Sequence, residues 1–187
     1  MVRPGRDPLS GYVEVDESYV GGLGGARGRS TGKKALIVMA AQAVGHGIGR
    51  VRMRRIPNAS ADSLQAFVQD AIAPGSVVHT DGWHGYDRLT ANGYQHEIRL
   101  LRGEHELASA LLPRVHRVVS LLKRWLLGTH QGAVSAAHLD HYLDEFTFRF
   151  NRRASRHRGK LFSRLVEQAV AVEPAPYVRL IKQSRSR

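Results

Sequence analysis

"GYVEVDESYVGG", Gly11 to Gly22, decides how the rest of the chain is read. Val13 and Val15 alternate with Glu14 and Asp16, the period of two expected of a half-buried strand that turns its carboxylates outward. An acid carried on a strand is held more firmly than one in a loop. The question for the remaining sequence is which other groups the fold can bring beside Asp16.

Two further strands follow. "ALIVMAAQA", Ala35 to Ala43, is continuously apolar, as a strand buried on both faces would be, and "GRVRMRRI", Gly49 to Ile56, sets Val51 and Met53 between arginines. Gly45 to Gly49 turns one into the other, so three successive strands can pair as an antiparallel meander. The intervening "GGLGGARGRSTGKK" reads as a mobile basic loop, either a plain hairpin connection or a phosphate-contacting one.

Ser60 is the expected N-cap of a helix that buries Leu64, Phe67, Val68 and Ala71 and ends before Pro74 and Gly75. "SVVHTDGWHGY" then supplies a short strand, Val77 to His79, running into Asp81. A helical stretch from about Trp83 to Asn92 and a weak strand near Gln95 to Arg99 are expected next. The order is that of a mixed α/β layer structure, with the later strands added in parallel.

The C-terminal part reads as helical. In "RVHRVVSLLKRWLL", Arg114 to Leu127, the stripe Val115, Val118, Val119, Leu122 and Leu126 is buried while His116, Ser120 and Lys123 share another face. Gly128 is the expected left-handed cap. A second helix, capped near Ser135, buries Leu139, Tyr142, Leu143, Phe146 and Phe150, and "RRASRHRGK" after Asn151 contains no acid.

Totals narrow the function. The 187 residues suit one buried core, divided here into a leader (1–10), a main domain (11–172) and a basic tail (173–187). Lys and Arg number 28 against 16 acids, a net charge of +12 that points to a polyanionic partner. A membrane partner would need an amphipathic anchor or about twenty apolar residues in a row. Neither occurs. There is no signal-like N-terminus and no cysteine, which excludes disulfides and thiolate metal sites and leaves a cytoplasmic location as the expectation.

Asp16 in a strand and Asp81 directly after another could together hold divalent cations through hard oxygen ligands and serve chemistry at phosphorus. The plainer alternatives are a surface acid at Asp16 and a helix cap at Asp81. His116 and Lys123 are seven residues apart, two turns of helix and almost in line. Arg117 and Arg124 widen the same flank. Asp144 and Glu145 rival His116 for a place in the site, although Glu145 and Arg149 at i, i+4 read as a surface ion pair. Glu104, Glu106, His138 and His141 read as solvated, and Trp83 and Trp125 as packing residues.

The ordered series "EVDESYVGG", "HTDGWHGY", "VHRVVSLLKRWLLGTHQG" and "YLDEFTFRFNRR" closely resembles the catalytic domain of bacterial insertion-sequence transposases of the ISXO-like group, in the DDE superfamily. The match runs from about Gly11 to about Val170. It implies a ribonuclease-H-like α/β fold, a mixed sheet of three antiparallel and two parallel strands with flanking helices, and DNA strand cleavage and transfer at transposon ends. Asp16 and Asp81 match the family's first two acids, and His116, where the wider superfamily has Glu, matches the third position, followed seven residues later by Lys123. Two Mg²⁺ or Mn²⁺ ions held by Asp16, Asp81 and His116 are implied, with Lys123 positioning DNA. The "GTHQG" and "NRR" signatures, with His130 in the first and Asn151, Arg152 and Arg153 in the second, imply contacts to transposon-end or target DNA together with Lys123 and Arg124, by a homo-oligomer assembled on that DNA. Imidazole is a softer ligand than carboxylate, so His116 could instead act through water or as an acid/base. Relatives generally carry an N-terminal zinc ribbon that this sequence lacks. That departure keeps open a truncated, non-catalytic DNA-binding remnant or a metal-dependent nuclease.

Overall fold

A computed structural model of the chain describes residues 5–21, 34–98, 111–131, 134, 138–157, 159–174 and 176–178. Strand β1 (Tyr12–Val20) is the middle strand of a five-stranded sheet ordered β3-β2-β1-β4-β5. Its neighbours are β2 (Ala35–Val44), β3 (Gly47–Ile56), β4 (Val77–Thr80) and β5 (Gln95–Ile98). The first three strands form an antiparallel meander, whereas β4 lies parallel to β1 and β5 parallel to β4. Helix α1 (Ala61–Ala71) makes the crossover from β3 to β4, and α2 (Pro113–His130), α3 (Leu139–Asn151) and α4 (Gly159–Val170) follow the sheet. This is the ribonuclease-H-like α/β arrangement that the sequence led us to expect.

The apolar run of β2 explains why the sheet is sandwiched. Val38 and Ala40 pack beside Val13 and Val15 against Leu64, Phe67 and Val68 of α1. Ile37, Met39 and Ala41 face the other way, against Val115, Val118 and Leu122 of α2 and Leu143 and Phe146 of α3. Each large aliphatic or aromatic side chain so buried contributes about 1.5–3 kcal/mol. Ser60 caps α1 as expected, its Oγ accepting from the Ser63 amide at 3.4 Å.

The carboxylates of Glu14 and Asp16 do not face outward. Their side of the sheet is covered by α2, and Glu14 is 2% exposed. Its Oε2 accepts from the backbone amides of Arg114 (2.7 Å) and Val115 (3.0 Å), and its Oε1 from Arg114 Nη1 (2.9 Å). The reason lies at the start of α2: Leu112 at the N-cap makes no side-chain hydrogen bond, the first turn holds no acid, and Pro113 has no amide proton. Free amides at a helix start need acceptors and favour negative charge. Glu14 supplies both from a strand 100 residues away in sequence.

Other expectations need correction. Between Trp83 and Asn92 there is no continuous helix, only 3₁₀ turns at His84–Tyr86 and Thr90–Asn92. Thr80 Oγ1 and Asp81 Oδ1 accept from the amides of Gly82 (3.2 Å) and Trp83 (3.0 Å), which holds the chain off a helical path, and Tyr86 and Leu89 are drawn fully into the core. Gly128 lies inside α2, which ends at His130 and is followed by Gln131 as the left-handed cap, with φ of 48°. The turn between β2 and β3 is the two residues Gly45 and His46. Leu9, in the expected leader, is fully buried and bonds to Ala71 and Ala73. Most of the basic loop (22–33), Glu104, Glu106, the Ser135 cap and the end of the tail fall outside the described residues. No described helix is long and apolar enough to cross a membrane.

Because Glu14 is the acceptor for two buried amides and a guanidinium, Glu14→Ala is expected to destabilise the domain by about 3 kcal/mol, as breaking a buried charge pair does. Glu14→Gln, which keeps an amide oxygen, should cost less. Urea unfolding with unchanged m value measures both; an alanine variant within about 0.5 kcal/mol of the parent would show that the cap is dispensable.

Candidate active site

Parallel pairing of β1 with β4 matches Glu14 to His79. Two residues further on, the same register brings Asp16 beside Asp81, just past the end of β4. Asp81 is on the surface, its Oδ1 accepting from the Trp83 amide (3.0 Å) in a tight side-chain turn. Asp16 is more enclosed, with its side chain 16% exposed and its Oδ1 accepting from the Glu17 amide at 2.8 Å.

Helix α2 adds the next group. His116 follows directly after the residues that Glu14 caps, and its Nε2 lies 3.7 Å from Asp16 Oδ2. Burial lifts the Asp16 carboxyl above the usual carboxylate range; His116, the Glu17 amide and Lys123 oppose that rise, while Asp81 adds to it. The Lys123 ammonium is held below its ordinary value by desolvation first and Lys34 second, against the attraction of Asp16. Asp16, Asp81, His116 and Lys123 therefore form one electrostatic cluster.

Glu17 belongs to the same cluster, although the sequence reading passed over it. It projects from the opposite face of β1 to Asp16 and accepts a hydrogen bond from the fully buried Tyr86 hydroxyl at 2.6 Å. Burial pushes its carboxyl up to about 7; the Tyr86 bond opposes this, and the charges of Asp16 and Asp81 add to it. The available signal was the run "DES", where a second acid next to Asp16 must sit at the same height on the strand.

Other candidate residues lie elsewhere. Arg124 is exposed on α2. His130, 14 residues beyond His116, is about 20 Å along the helix and packs against Trp125 (centroids 4.8 Å apart) and Tyr142 (4.5 Å). Its Nε2 is buried and has no hydrogen-bond partner among the described residues. Asn151 sits at the end of α3 against β3, its Oδ1 accepting from the Val51 amide (2.7 Å) and its Nδ2 donating to the Val51 carbonyl (3.0 Å). Arg153 donates to the carbonyls of Ile48 and Gly49, and the Arg152 guanidinium lies 3.8 Å over the Phe148 ring. The rivals Asp144 and Glu145 are on α3. Asp144 is raised chiefly by burial and is drawn down by Arg6, and Glu145 pairs with Arg149 at 2.9 Å as its spacing suggested.

The donor chemistry of Asp16 and Asp81 fits a hard divalent cation, since two carboxylates close enough to influence one another offer hard oxygen ligands. Among the described residues no three His, Asp or Glu side chains are grouped so as to hold an ion. The remaining ligands would have to be water or substrate oxygens.

Glu17 also couples stability to pH. Its folded value of about 7 exceeds its ordinary 4.5, so the folded state retains a proton that the unfolded chain has lost, and stability falls as pH rises from about 4.5 through about 7. Glu17→Gln removes that loss. Thermal melts in EDTA should show the variant above the parent at pH 8, by about 2–4 °C for each kcal/mol recovered, with the gap closing near pH 5. A gap independent of pH would contradict the assignment.

Comparison with known proteins gives three results. No curated protein matches the chain in sequence. Among solved structures it is similar to a chain in the cryo-EM structure of a simian T-cell lymphotropic virus intasome in complex with PP2A regulatory subunit B56 gamma, with a TM-score of 0.46 and 11% identity over 76% of this chain. The chain spans 48% of that one. The model of the ISXO2-like transposase domain matches residues 8–151, from just before β1 to the end of α3 and including Asp16, Asp81, His116 and Lys123. By that match over most of its length, the chain belongs to the ISXO2-like transposase domain family.

Proposed function

We propose that this transposase-family domain cleaves DNA at the ends of an insertion sequence and joins the freed ends to target DNA. The observation that supports it most is the meeting of Asp16, in the middle of β1, with Asp81, just past the end of the adjacent parallel β4, with His116 beside Asp16. In the first step a water oxygen bonds to phosphorus and the 3′ oxygen leaves with a proton. In the second, that 3′-hydroxyl attacks a target phosphodiester, whose own 3′ oxygen departs. Two bound Mg²⁺ or Mn²⁺ ions would supply positive charge at the entering and leaving oxygens of these in-line displacements.

The chain's own groups have separable roles. Asp16 and Asp81 provide hard oxygen donors, and the strand fixes the first of them. His116 completes the donor set directly or through water, or moves a proton to or from Asp16 or a reacting oxygen. Lys123 offsets the charge of a neighbouring phosphate. Arg124, Arg152 and Arg153 would contribute affinity for DNA backbone in an oligomer assembled on it, whereas both polar atoms of the Asn151 side chain are held by Val51 and His130 is packed against Trp125 and Tyr142. A second reading, a non-catalytic DNA-binding domain, is favoured by the lack of a three-ligand group among the described residues. The mutants below separate the two, and a strand-transfer assay separates a transposase from a nuclease.

Asp16→Asn and Asp81→Asn are each expected to lower Mn²⁺-supported cleavage of a labelled DNA end at least ~100-fold, more than the ~10–100-fold typical of losing a residue that only supports a metal ligand. DNA binding should persist. His116→Ala should lose most single-turnover cleavage, and His116→Glu, which restores a hard oxygen, should keep more Mg²⁺-dependent activity than alanine does. Equal nicking by parent and both Asn variants would favour the non-catalytic reading.

The excess of positive charge gives a further expectation, salt-sensitive binding with little sequence preference. If about 6–10 phosphates are contacted, affinity should fall ~10³–10⁵-fold between about 50 and 200 mM salt. Fluorescence anisotropy on unrelated duplexes measures this, and affinity insensitive to salt would count against a backbone-contacting surface.

A further inference from the structure

A second concentration of charge lies outside the Asp16 cluster. A cavity of about 270 Å³ opens between the chain leading into β1, the edge strand β3, and helices α3 and α4. Arg6, Arg50, Arg52, Arg152 and Arg164 line it with a single carboxylate, Asp7. Arg52 is 4% exposed and donates to the carbonyl oxygens of Val51 (3.1 Å) and Asp7 (2.6 Å). Arg50 donates to the Pro8 carbonyl at 3.2 Å. Carbonyls satisfy N–H groups but do not neutralise their charge.

The result is electrostatic tension. Burial first, then Arg6 and Arg50, lower Arg52 to about 10, against Asp7 and Asp70. Arg6 is likewise lowered, by burial first, despite Asp70 and Asp144. Converging guanidinium groups at a partly enclosed site are stabilised when an anion occupies the space between them, and their planar forks match phosphate oxygens.

We propose that this cavity binds phosphate groups of the DNA backbone, as a contact site separate from the one where strands are cut. Its volume falls just short of the ~300–1,000 Å³ usual for small-molecule pockets, and its guanidinium lining suits oxyanions better than apolar ligands. A polymer is favoured over a free phosphate because the cavity continues into a second depression of about 540 Å³, which shares Arg152, Arg164 and Gln168 and adds Lys160 together with one further carboxylate, Glu167. Together they form a trough able to take successive phosphates. β3 is two strands from β1, about 10 Å across the sheet, and the cavity lies at its outer edge, so the phosphates held here are not the one beside Asp16. The inference concerns binding alone and stands whether or not the domain is catalytic.

The test uses the full chain and a fluorescein-labelled duplex, with anisotropy read across salt. The parent is compared with Arg50→Ala/Arg164→Ala, with Arg164→Ala alone, whose exposed position on α4 leaves the core untouched, and with Arg88→Ala, an exposed arginine away from the cavity. The double variant should bind about tenfold more weakly, with a salt slope lower by about 1–2, the single variant should fall between, and Arg88→Ala should match the parent. Unchanged binding by the double variant, or an equal loss in Arg88→Ala, overturns the proposal. Thermal stabilisation by pyrophosphate that the double variant loses, with duplex affinity unaltered, overturns it in favour of a free phosphate ligand.

Discussion

The contact between Glu14 and the start of α2 is the constraint on which the candidate site depends. A strand and a helix that far apart in sequence could slide past one another along a purely apolar seam, because dispersion and hydrophobic burial are weakly directional. Hydrogen bonds from two successive amides to one carboxylate oxygen are directional, and they fix both the height and the rotation of the helix. Asp16 is two residues past Glu14 on the same face of β1, and His116 is one residue past Val115. One buried acid therefore sets the separation of two groups that it does not touch.

Around that point β1 presents acids on both of its faces. Asp16 leans toward α2 and its basic groups, while Glu17 is tied to Tyr86 in the turns after β4. Asp81 leads into those same turns. The Glu17 contact thus links β1 to the segment carrying the second carboxylate, as the Glu14 contact links it to the helix carrying the imidazole. Three acids gathered on two adjacent strands repel one another, which adds to the burial that chiefly raises the Asp16 and Glu17 carboxyls. Such accumulation opposes folding and favours occupancy by cations.

Legibility in the sequence followed the locality of the forces. β2 and α1 were readable because an unbroken apolar run and a capped amphipathic face are encoded in adjacent residues, and the stripe of α2 was readable for the same reason. Asp16, Asp81, His116 and Lys123 were singled out from their placement and from the family likeness, and the fold does gather them. Glu14 was misread because period-two alternation reports two faces without saying what covers each; its partners lie in a distant helix. The stretch after Asp81 looked helical until the Thr80 and Asp81 side chains, which compete for the amides, were seen. Asn151 and Arg153 were expected to contact DNA, and nothing nearby in sequence announces their bonds to β3.

Those bonds have a bearing on assembly. β3 is an outer strand, and the backbone of an outer strand is a template on which another chain can pair. Asn151 answers both the donor and the acceptor of Val51, and Arg153 occupies the carbonyls of Ile48 and Gly49. The first half of that border, from Ile48 to Val51, is thus closed by side chains acting as a substitute strand. Copies of the domain cannot join there into a continuous sheet without first unfastening the end of α3, so self-association, and the aggregation that open borders invite, is steered toward other surfaces.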